Sequence, residues 1–118
     1  MSSAVNAEFA VLGAPFIDPA VVDRLAEIVT PGDFEDPQRA EVWASIVELA
    51  DGRNGISAVT VASHIMSRRT GALRRGLLES DHDVLEFVLA AGDNVLTAVG
   101  SEWHAAMVAG AAKLRRFQ

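Results

Sequence analysis

The sequence contains no cysteine, a single lysine and no long hydrophobic run, and each absence excludes a class of protein. Without cysteine, the 118-residue chain forms no disulfide framework and no thiolate metal site, which favours an intracellular, cytoplasmic location. No apolar run approaches the roughly 18 residues that span a bilayer. The first residues, MSSAVNAEFAVLG, lack the basic flank of a signal peptide. We therefore expect a soluble domain that has no membrane partner.

Motifs for catalysis are also missing. A phosphate-binding loop needs glycines for close approach of the backbone and a lysine for the phosphates. The surroundings of Lys113, AGAAKLRR, do not match that pattern. His64, His82 and His104 are widely separated, and no two of them have the i, i+4 spacing of a helical pair of histidine ligands. We predict that the chain is not an enzyme by itself and uses no cofactor and no metal.

One acidic segment leaves a catalytic alternative open. The sequence ESDHD, residues 79–83, gathers three acids and a histidine, which could bind a cation or act as acid and base. The same residues also suit the start of a helix, where acids are favoured in the first turn. We prefer the helix-start interpretation, and a small cation-dependent enzyme is the alternative.

The charge of the chain is unevenly distributed. Residues 1–59 contain ten acids and three arginines, whereas residues 60–118 contain six acids and seven bases. The acidic first half would repel duplex DNA, which disfavours a dedicated DNA reader. We interpret the basic residues as a solvated patch or as favourable charge at helix ends, with phosphate contacts of a small DNA-binding regulator as the alternative. This basic patch consists of Arg68, Arg69, Arg74, Arg75, Lys113, Arg115 and Arg116.

Helix signals recur along the chain, and no strand pattern does. Asp18 before Pro19 and Asp36 before Pro37 each predict a helix start, with aspartate as the cap and proline at the first helical position. Apolar residues follow both starts at helical spacing. Gly52 suits the end of the second helix. These signals predict two capped amphipathic helices joined by the turn TPGD.

Further helices are predicted within residues 57–71, 81–92 and 97–118. Ser57 or Thr60 can cap the first of them. We find no internal repeat and no linker. The chain is therefore predicted to be a single all-α domain spanning residues 1–118, with a flexible start over residues 1–4. Its architecture is expected to be a compact bundle of about five to six short helices with a protruding C-terminal helix.

The aromatic residues divide between a predicted core and a predicted contact face. Trp43 lies in a dense apolar stripe and Phe34 at the corner between two helices, so both are predicted core anchors. In the last helix, apolar residues recur at intervals of four, three, four and three, which is typical of a helix packing along another helix. We predict a partner or self-association face, although core packing is the preferred interpretation for Trp103 itself. The face consists of Trp103, Met107, Gly110, Leu114 and Phe117.

The order of the motifs resembles the N-terminal domain of DnaB-type replicative helicases. The matching segments are AEFAVLGAPFIDP, VTPGDFEDP, the pattern P-x-x-x-x-V-W-x-x-I-x-x-L, the VTV of residues 59–61, SEWHAAMV and AAKLRR. They extend from Ala7 to about Phe117. The chain departs from the family where Arg39 replaces a frequent histidine and where Trp103 and His104 replace tyrosines.

The resemblance implies a non-catalytic interaction module that acts in DNA replication. Such a domain would pair with other copies of itself in a helicase collar and dock a primase or a helicase loader, contacting DNA indirectly at most. A separate motor would hydrolyse ATP. Because KLRRFQ lacks a capping residue, whereas the family continues into a helical hairpin, we expect an isolated domain of a longer helicase, with the last helix as the first arm of that hairpin. A stand-alone modulator or decoy of the helicase is the alternative.

Overall fold

The computed structural model describes residues 3–53, 55–68, 86, 88–90 and 100–116. The α-helices bounded within these residues are α1 (Ser3–Ile17), α2 (Val22–Ile28), α3 (Pro37–Asp51), α4 (Ala58–Arg68) and α5 (Ser101–Arg116). Short 3₁₀ turns, Pro19–Val21 and Pro31–Asp33, precede α2 and α3, and Glu86 and residues 88–90 are also helical. The described residues contain no strand, and the prediction of an all-α fold is confirmed.

Helix α1 lies at the centre of the fold and was not predicted as a helix. It packs against α5 and α3, and residues 11–15 are buried without interruption. A helix buried on several sides shows no alternation of apolar and polar faces, so its sequence lacks the usual periodic signal. Pro15, near the end of α1, also disfavours the prediction of a helix, because proline is uncommon inside helices. The helix begins at Ser3, within the stretch that was expected to be flexible.

Both predicted Asp-Pro helix starts are confirmed. Asp18 Oδ1 accepts a hydrogen bond from the backbone N–H of Ala20 at 3.1 Å, at the 3₁₀ turn that leads into α2. Asp36 Oδ1 accepts one from the N–H of Gln38 at 2.9 Å, at the start of α3. In each case the carboxylate satisfies one amide that has no partner within the helix.

The start of α4 uses both residues that the sequence offered as alternatives. The N–H of Thr60 donates to Ser57 Oγ at 3.1 Å, and the N–H of Ser57 donates to Thr60 Oγ1 at 2.9 Å. This reciprocal arrangement is a capping box in which threonine takes the place of the usual glutamate. The predicted end of this helix at Gly71 lies outside the described residues.

Both predicted core anchors are buried where α2 meets α3. Trp43 is fully buried, and its indole Nε1–H donates to the carbonyl of Val29 at 3.3 Å. Phe34 is 5% exposed, and its ring centroid lies 6.2 Å from that of Trp43. The aromatic pair fills the corner created by the turn Pro31–Asp33. The indole hydrogen bond also ties the end of α2 to the middle of α3.

Helix α5 starts later than the sequence analysis placed it. Gly100 has φ of +82°, a left-handed conformation that favours glycine, and the helix begins at the next residue. The prediction of a helix that runs unbroken from residue 97 is therefore wrong, because the left-handed conformation of Gly100 interrupts it. Residues 97–99, where the predicted range of this helix begins, lie outside the described residues. Among the helices of the described ranges, none has the length and apolar character needed to cross a bilayer.

Candidate interaction surface

Helix α5 is fixed to the domain by small residues. It packs on α1, α2 and the turn Pro31–Asp33. Its buried residues recur at intervals of four, three and four, which places them on one side of the helix. They are Ser101, Ala105, Val108 and Ala112. Because these side chains are short, α5 can lie close against α1 and α2.

The opposite side of α5 presents larger apolar residues to solvent. Trp103 is 63% exposed and Leu114 is 68% exposed. Met107 is half-buried and Gly110 is exposed. Trp103, Met107, Gly110 and Leu114, here called the α5 stripe, follow one side of the helix for about 16 Å. Four members of the predicted contact face thus lie together, and the fifth, Phe117, is outside the described residues.

The preferred interpretation of Trp103 as a core residue is wrong. Two stripes with the same spacing run along α5, displaced by two residues, which is about 200° of helix rotation. The buried stripe contains only small and medium-sized residues, whereas the exposed stripe contains the large side chains of Trp103, Met107 and Leu114 in addition to Gly110. Spacing alone indicated a packed helix face, and the contacts with α1 and α2 determined which of the two stripes is buried.

A shallow pocket adjoins one end of the α5 stripe. It has a volume of about 190 Å³ and is lined by Asn6, Ala7, Trp103, His104 and Met107. The rings of Trp103 and His104 meet edge to face, with centroids 5.0 Å apart. This lining is mostly apolar, and an indole and a thioether adapt well to an inserted hydrophobic group. The pocket therefore suits an apolar side chain of a protein partner better than a charged ligand.

Two arginines at the basic end of α5 contact Asp33 within the domain. Arg116 Nη2 forms a salt bridge with Asp33 Oδ1 at 2.8 Å, and Arg115 Nη2 donates to the backbone carbonyl of Asp33 at 2.8 Å. Asp33 is 6% exposed and also accepts a hydrogen bond from the N–H of Thr30. These contacts fasten the last turn of α5 to the turn Pro31–Asp33. Two of the predicted basic-patch residues thus make contacts within the domain while their side chains stay exposed.

Only some of the other residues of the predicted basic patch lie within the described part of the chain. Lys113 is exposed on α5. Arg68 ends α4, and its side chain is not described. Arg69, Arg74 and Arg75 lie outside the described residues. A DNA-binding regulator would need a continuous row of basic side chains to contact the DNA phosphates. The part of the patch that the structure describes does not form such a row.

A buried ion pair connects α1 with α3 and was missed by the sequence analysis. Glu8 is 1% exposed; its Oε1 accepts from Arg39 Nε at 2.7 Å and its Oε2 from the N–H of Glu35 at 3.0 Å. Arg39 also donates to Asp36 Oδ2 at 3.2 Å and lies 5.2 Å from the ring centre of Phe9. Glu8 is the only charged side chain among residues 1–17, which is the signal that could have identified it.

The possible acid–base and metal residues do not form a centre in the described ranges. No group of three or more histidine, aspartate or glutamate side chains there could hold a metal ion. His64 Nε2 contacts Glu48 Oε2 at 2.6 Å on the outer side of α3 and α4. The acidic segment of residues 79–83, with His82, lies outside the described residues.

Comparison with known proteins places this architecture in a family. The family model of the DnaB-like helicase N-terminal domain matches residues 1–108 of the sequence. The replicative DNA helicase DnaB of Rhodothermus marinus is 34% identical over 106 residues, which are 90% of this chain and 10% of that protein. The replicative DNA helicase DnaB of Geobacillus stearothermophilus is 30% identical over 112 residues, which are 95% of this chain and 23% of that protein.

A solved structure has the same fold. The N-terminal domain of DnaB helicase from Mycobacterium tuberculosis superposes with a TM-score of 0.81 at 29% sequence identity, covering 96% of this chain and 76% of that one. The chain therefore spans between a tenth and a quarter of the length of these helicases but most of the length of the isolated domain.

Proposed function

Because the chain belongs to the family of DnaB-like helicase N-terminal domains, we propose that it is a non-catalytic protein–protein interaction module of a replicative helicase. In this role it pairs with other copies of itself and docks a primase or a helicase loader in the cytoplasm during DNA replication. ATP hydrolysis and movement on DNA belong to a separate motor.

The exposed α5 stripe is the observation that carries the proposal. Large apolar residues on a soluble domain surface are explained by a partner when they form a continuous patch. Trp103 and Leu114 are each more than 60% exposed and lie on the same side of a helix whose other side is already packed. Tryptophan is also strongly enriched among residues that dominate binding energy.

The electrostatics of the described residues favour a protein partner over DNA. Arg115 and Arg116 contact Asp33, so part of their charge is balanced within the domain. The first 59 residues carry a large acidic excess. Phosphate binding would require several cations on a surface with positive potential. A partner that presents an apolar helix face or a hydrophobic side chain fits the stripe and its pocket better.

Light scattering across a concentration series, first alone and then with the helicase-binding domain of a primase, tests this function. We expect a rise in mass with concentration, or a complex with the primase domain, that is weakened by Trp103→Ala. Val59→Ala is the matched control, because Val59 is 64% exposed on α4 and lies outside the stripe. A monomer that binds neither a primase domain nor a helicase loader would contradict the proposal.

A further inference from the structure

The last turn of α5 contributes no buried side chain to the domain. Residues 113–116 are all exposed, and Ala112 is the last buried residue of the helix. The carbonyl groups at the C-terminus of a helix also lack partners within it, so such an end frays readily unless other contacts hold it. Hydrophobic packing therefore fixes α5 as far as Ala112, and the turn that follows depends on polar contacts.

Two arginine contacts connect this turn to the rest of the domain. Arg116 Nη2 lies 2.8 Å from Asp33 Oδ1, and Arg115 Nη2 donates to the backbone carbonyl of Asp33, also at 2.8 Å. Asp33 is 82 positions from Arg115 and 83 from Arg116. The end of α5 is thus linked to the turn between α2 and α3 by charged groups from distant parts of the chain.

The acceptor of these contacts is held in place by the fold. Asp33 Oδ2 accepts a hydrogen bond from the N–H of Thr30 at 2.9 Å, and the next residue, Phe34, is buried against Trp43. The Asp33 side chain is only 9% exposed. A carboxylate at such a position is poorly solvated when no cation pairs with it. Asp33 therefore favours the state in which the arginines are in contact.

The donors, in contrast, are open to solvent. The Arg116 side chain is 58% exposed, so water can solvate it when the ion pair is broken. Ion pairs with an exposed partner contribute little net free energy, and salt weakens them further. We therefore expect the contacts to favour the closed turn over the frayed turn by only about fivefold at low ionic strength.

We propose that Asp33, Arg115 and Arg116 form an electrostatic latch, which closes the last turn of α5 at low ionic strength and releases it as the ionic strength rises. The latch also positions Leu114, because this residue lies in the same turn and forms one end of the α5 stripe. Release would let Leu114 move out of line with Trp103. This inference concerns a single copy of the domain and goes beyond the proposed function.

Amide hydrogen exchange followed by NMR tests the latch in dilute, monomeric samples. Arg115→Gln and Arg116→Gln, combined in one chain, remove both contacts, while glutamine keeps a helix propensity close to that of arginine. We expect the protection factors of the amides of residues 113–116 to fall about fivefold in this double variant at low salt. Amides within α3 should keep their protection, which shows that the rest of the domain stays folded.

Lys113→Gln is the matched control for the loss of positive charge. Lys113 lies exposed in the same turn, where any cation interacts favourably with the C-terminus of the helix. Its replacement leaves both Asp33 contacts in place, so protection should fall by less than about twofold. An equal fall in this control and in the double variant would overturn the latch, because charge at the helix end would then suffice.

A conservative substitution separates the ion pair from the shape of the side chain. Arg116 contacts Asp33 Oδ1 through a single nitrogen, so the ammonium group of Arg116→Lys can take over that contact. Arg116→Lys should retain more protection in residues 113–116 than Arg116→Gln. Equal protection in these two variants would contradict an electrostatic latch.

Ionic strength provides a measurement that needs no substitution. Raising the salt concentration from about 50 mM to about 500 mM shortens the screening length to well under 10 Å. The protection of residues 113–116 should then fall about threefold in the unmodified chain and stay constant in the double variant. Protection that does not respond to salt in the unmodified chain would overturn the inference.

These outcomes are separate from those of the proposed function, because every measurement is made on the monomer. A latch that responds as expected, in a chain that binds neither a primase domain nor a helicase loader, would contradict the proposed function alone. A partner complex formed by a chain whose last turn responds neither to the arginine substitutions nor to salt would overturn the latch alone.

Discussion

Trp43 and Trp103 occupy opposite environments in this domain. Trp43 is fully buried and donates a hydrogen bond to Val29, whereas Trp103 is 63% exposed on α5. The same side chain therefore supports folding at one position and is available for a partner at the other. Substitutions at the two positions are expected to affect different measurements.

Replacement of Trp43 tests its role in the core. Trp43→Ala should lower the free energy of unfolding by about 3 to 5 kcal/mol, because it removes a large buried side chain and leaves a cavity. Denaturant unfolding followed by circular dichroism measures the loss. Trp103→Ala, measured in dilute monomeric samples, should change stability by no more than about 0.5 kcal/mol. Equal losses at the two positions would show that Trp103 also supports the monomer fold.

Arg39 is expected to be as important for stability as a core residue. Its Nε contacts the buried Glu8 at 2.7 Å while Nη1 contacts Asp36 at 3.2 Å. Arg39→Ala would leave the Glu8 charge without its partner, at a cost of about 3 to 5 kcal/mol in unfolding free energy. The loss of unfolding free energy for Arg39→Lys should lie between zero and the loss for Arg39→Ala. One ammonium group does not reproduce the two contacts that the guanidinium makes.

The exposed arginine on α2 provides the contrast for this measurement. Arg24 pairs with Glu102 at 3.4 Å, with side-chain exposures of 63% and 54%. Exposed pairs contribute little, so Arg24→Ala should change the unfolding free energy by less than about 1 kcal/mol. A similar loss for Arg24→Ala and Arg39→Ala would mean that burial of Glu8 does not determine the cost.

At the scale of elements, the start of α3 combines two functions in Asp36. Its Oδ1 accepts from the N–H of Gln38 and its Oδ2 from Arg39 Nη1. The first contact caps the helix, and the second holds the arginine that reaches back to α1. The start of α3 is therefore linked to α1 through Arg39, and the cap residue Asp36 helps to hold that arginine in place.

The two contributions of Asp36 can be separated by substitution. Asp36→Ala removes both contacts and should cost about 1 kcal/mol or slightly more in unfolding free energy. Asp36→Ser retains a side-chain oxygen for the cap but removes the carboxylate, so it should lose less. Thermal or denaturant unfolding gives the comparison. An unchanged midpoint for Asp36→Ala would mean that another group caps the helix.

At the scale of the whole molecule, α5 has one packed side and one exposed side. The packed side consists of small residues against α1 and α2, and Asp33 holds its last turn. The exposed side carries the apolar stripe. This division lets the helix belong to the domain and still present a surface to another chain, as the proposed interaction module requires.

Substitutions in the stripe should weaken association more than folding. Trp103→Ala or Leu114→Ala is expected to raise the dissociation constant for self-association about tenfold, which corresponds to about 1.4 kcal/mol. The unfolding free energy of the monomer should stay within about 0.5 kcal/mol. Sedimentation velocity and denaturant unfolding measure the two quantities. Val59→Ala, at a comparably exposed position on α4, should change neither.

Several elements of the fold could be predicted from the sequence because their causes are local. Asp18 and Asp36 cap amides only two residues away, and Ser57 and Thr60 cap each other across one turn. The core position of Trp43 follows from an apolar stripe within a single helix. The family resemblance rests on the order of such local segments, and it predicted the correct fold.

Only the tertiary structure determined the features that depend on contacts between distant segments. Helix α1 packs against both α5 and α3, so its sequence lacks the wide polar face that would have revealed it. Glu8 and Arg39 are 31 positions apart, and Asp33 and Arg116 are 83 apart. For α5, the sequence by itself indicated the helix and the stripe that contains Trp103 and Leu114. Packing against α1 and α2 decided which stripe is buried, because short side chains permit the closer approach and leave Trp103 and Leu114 facing outward.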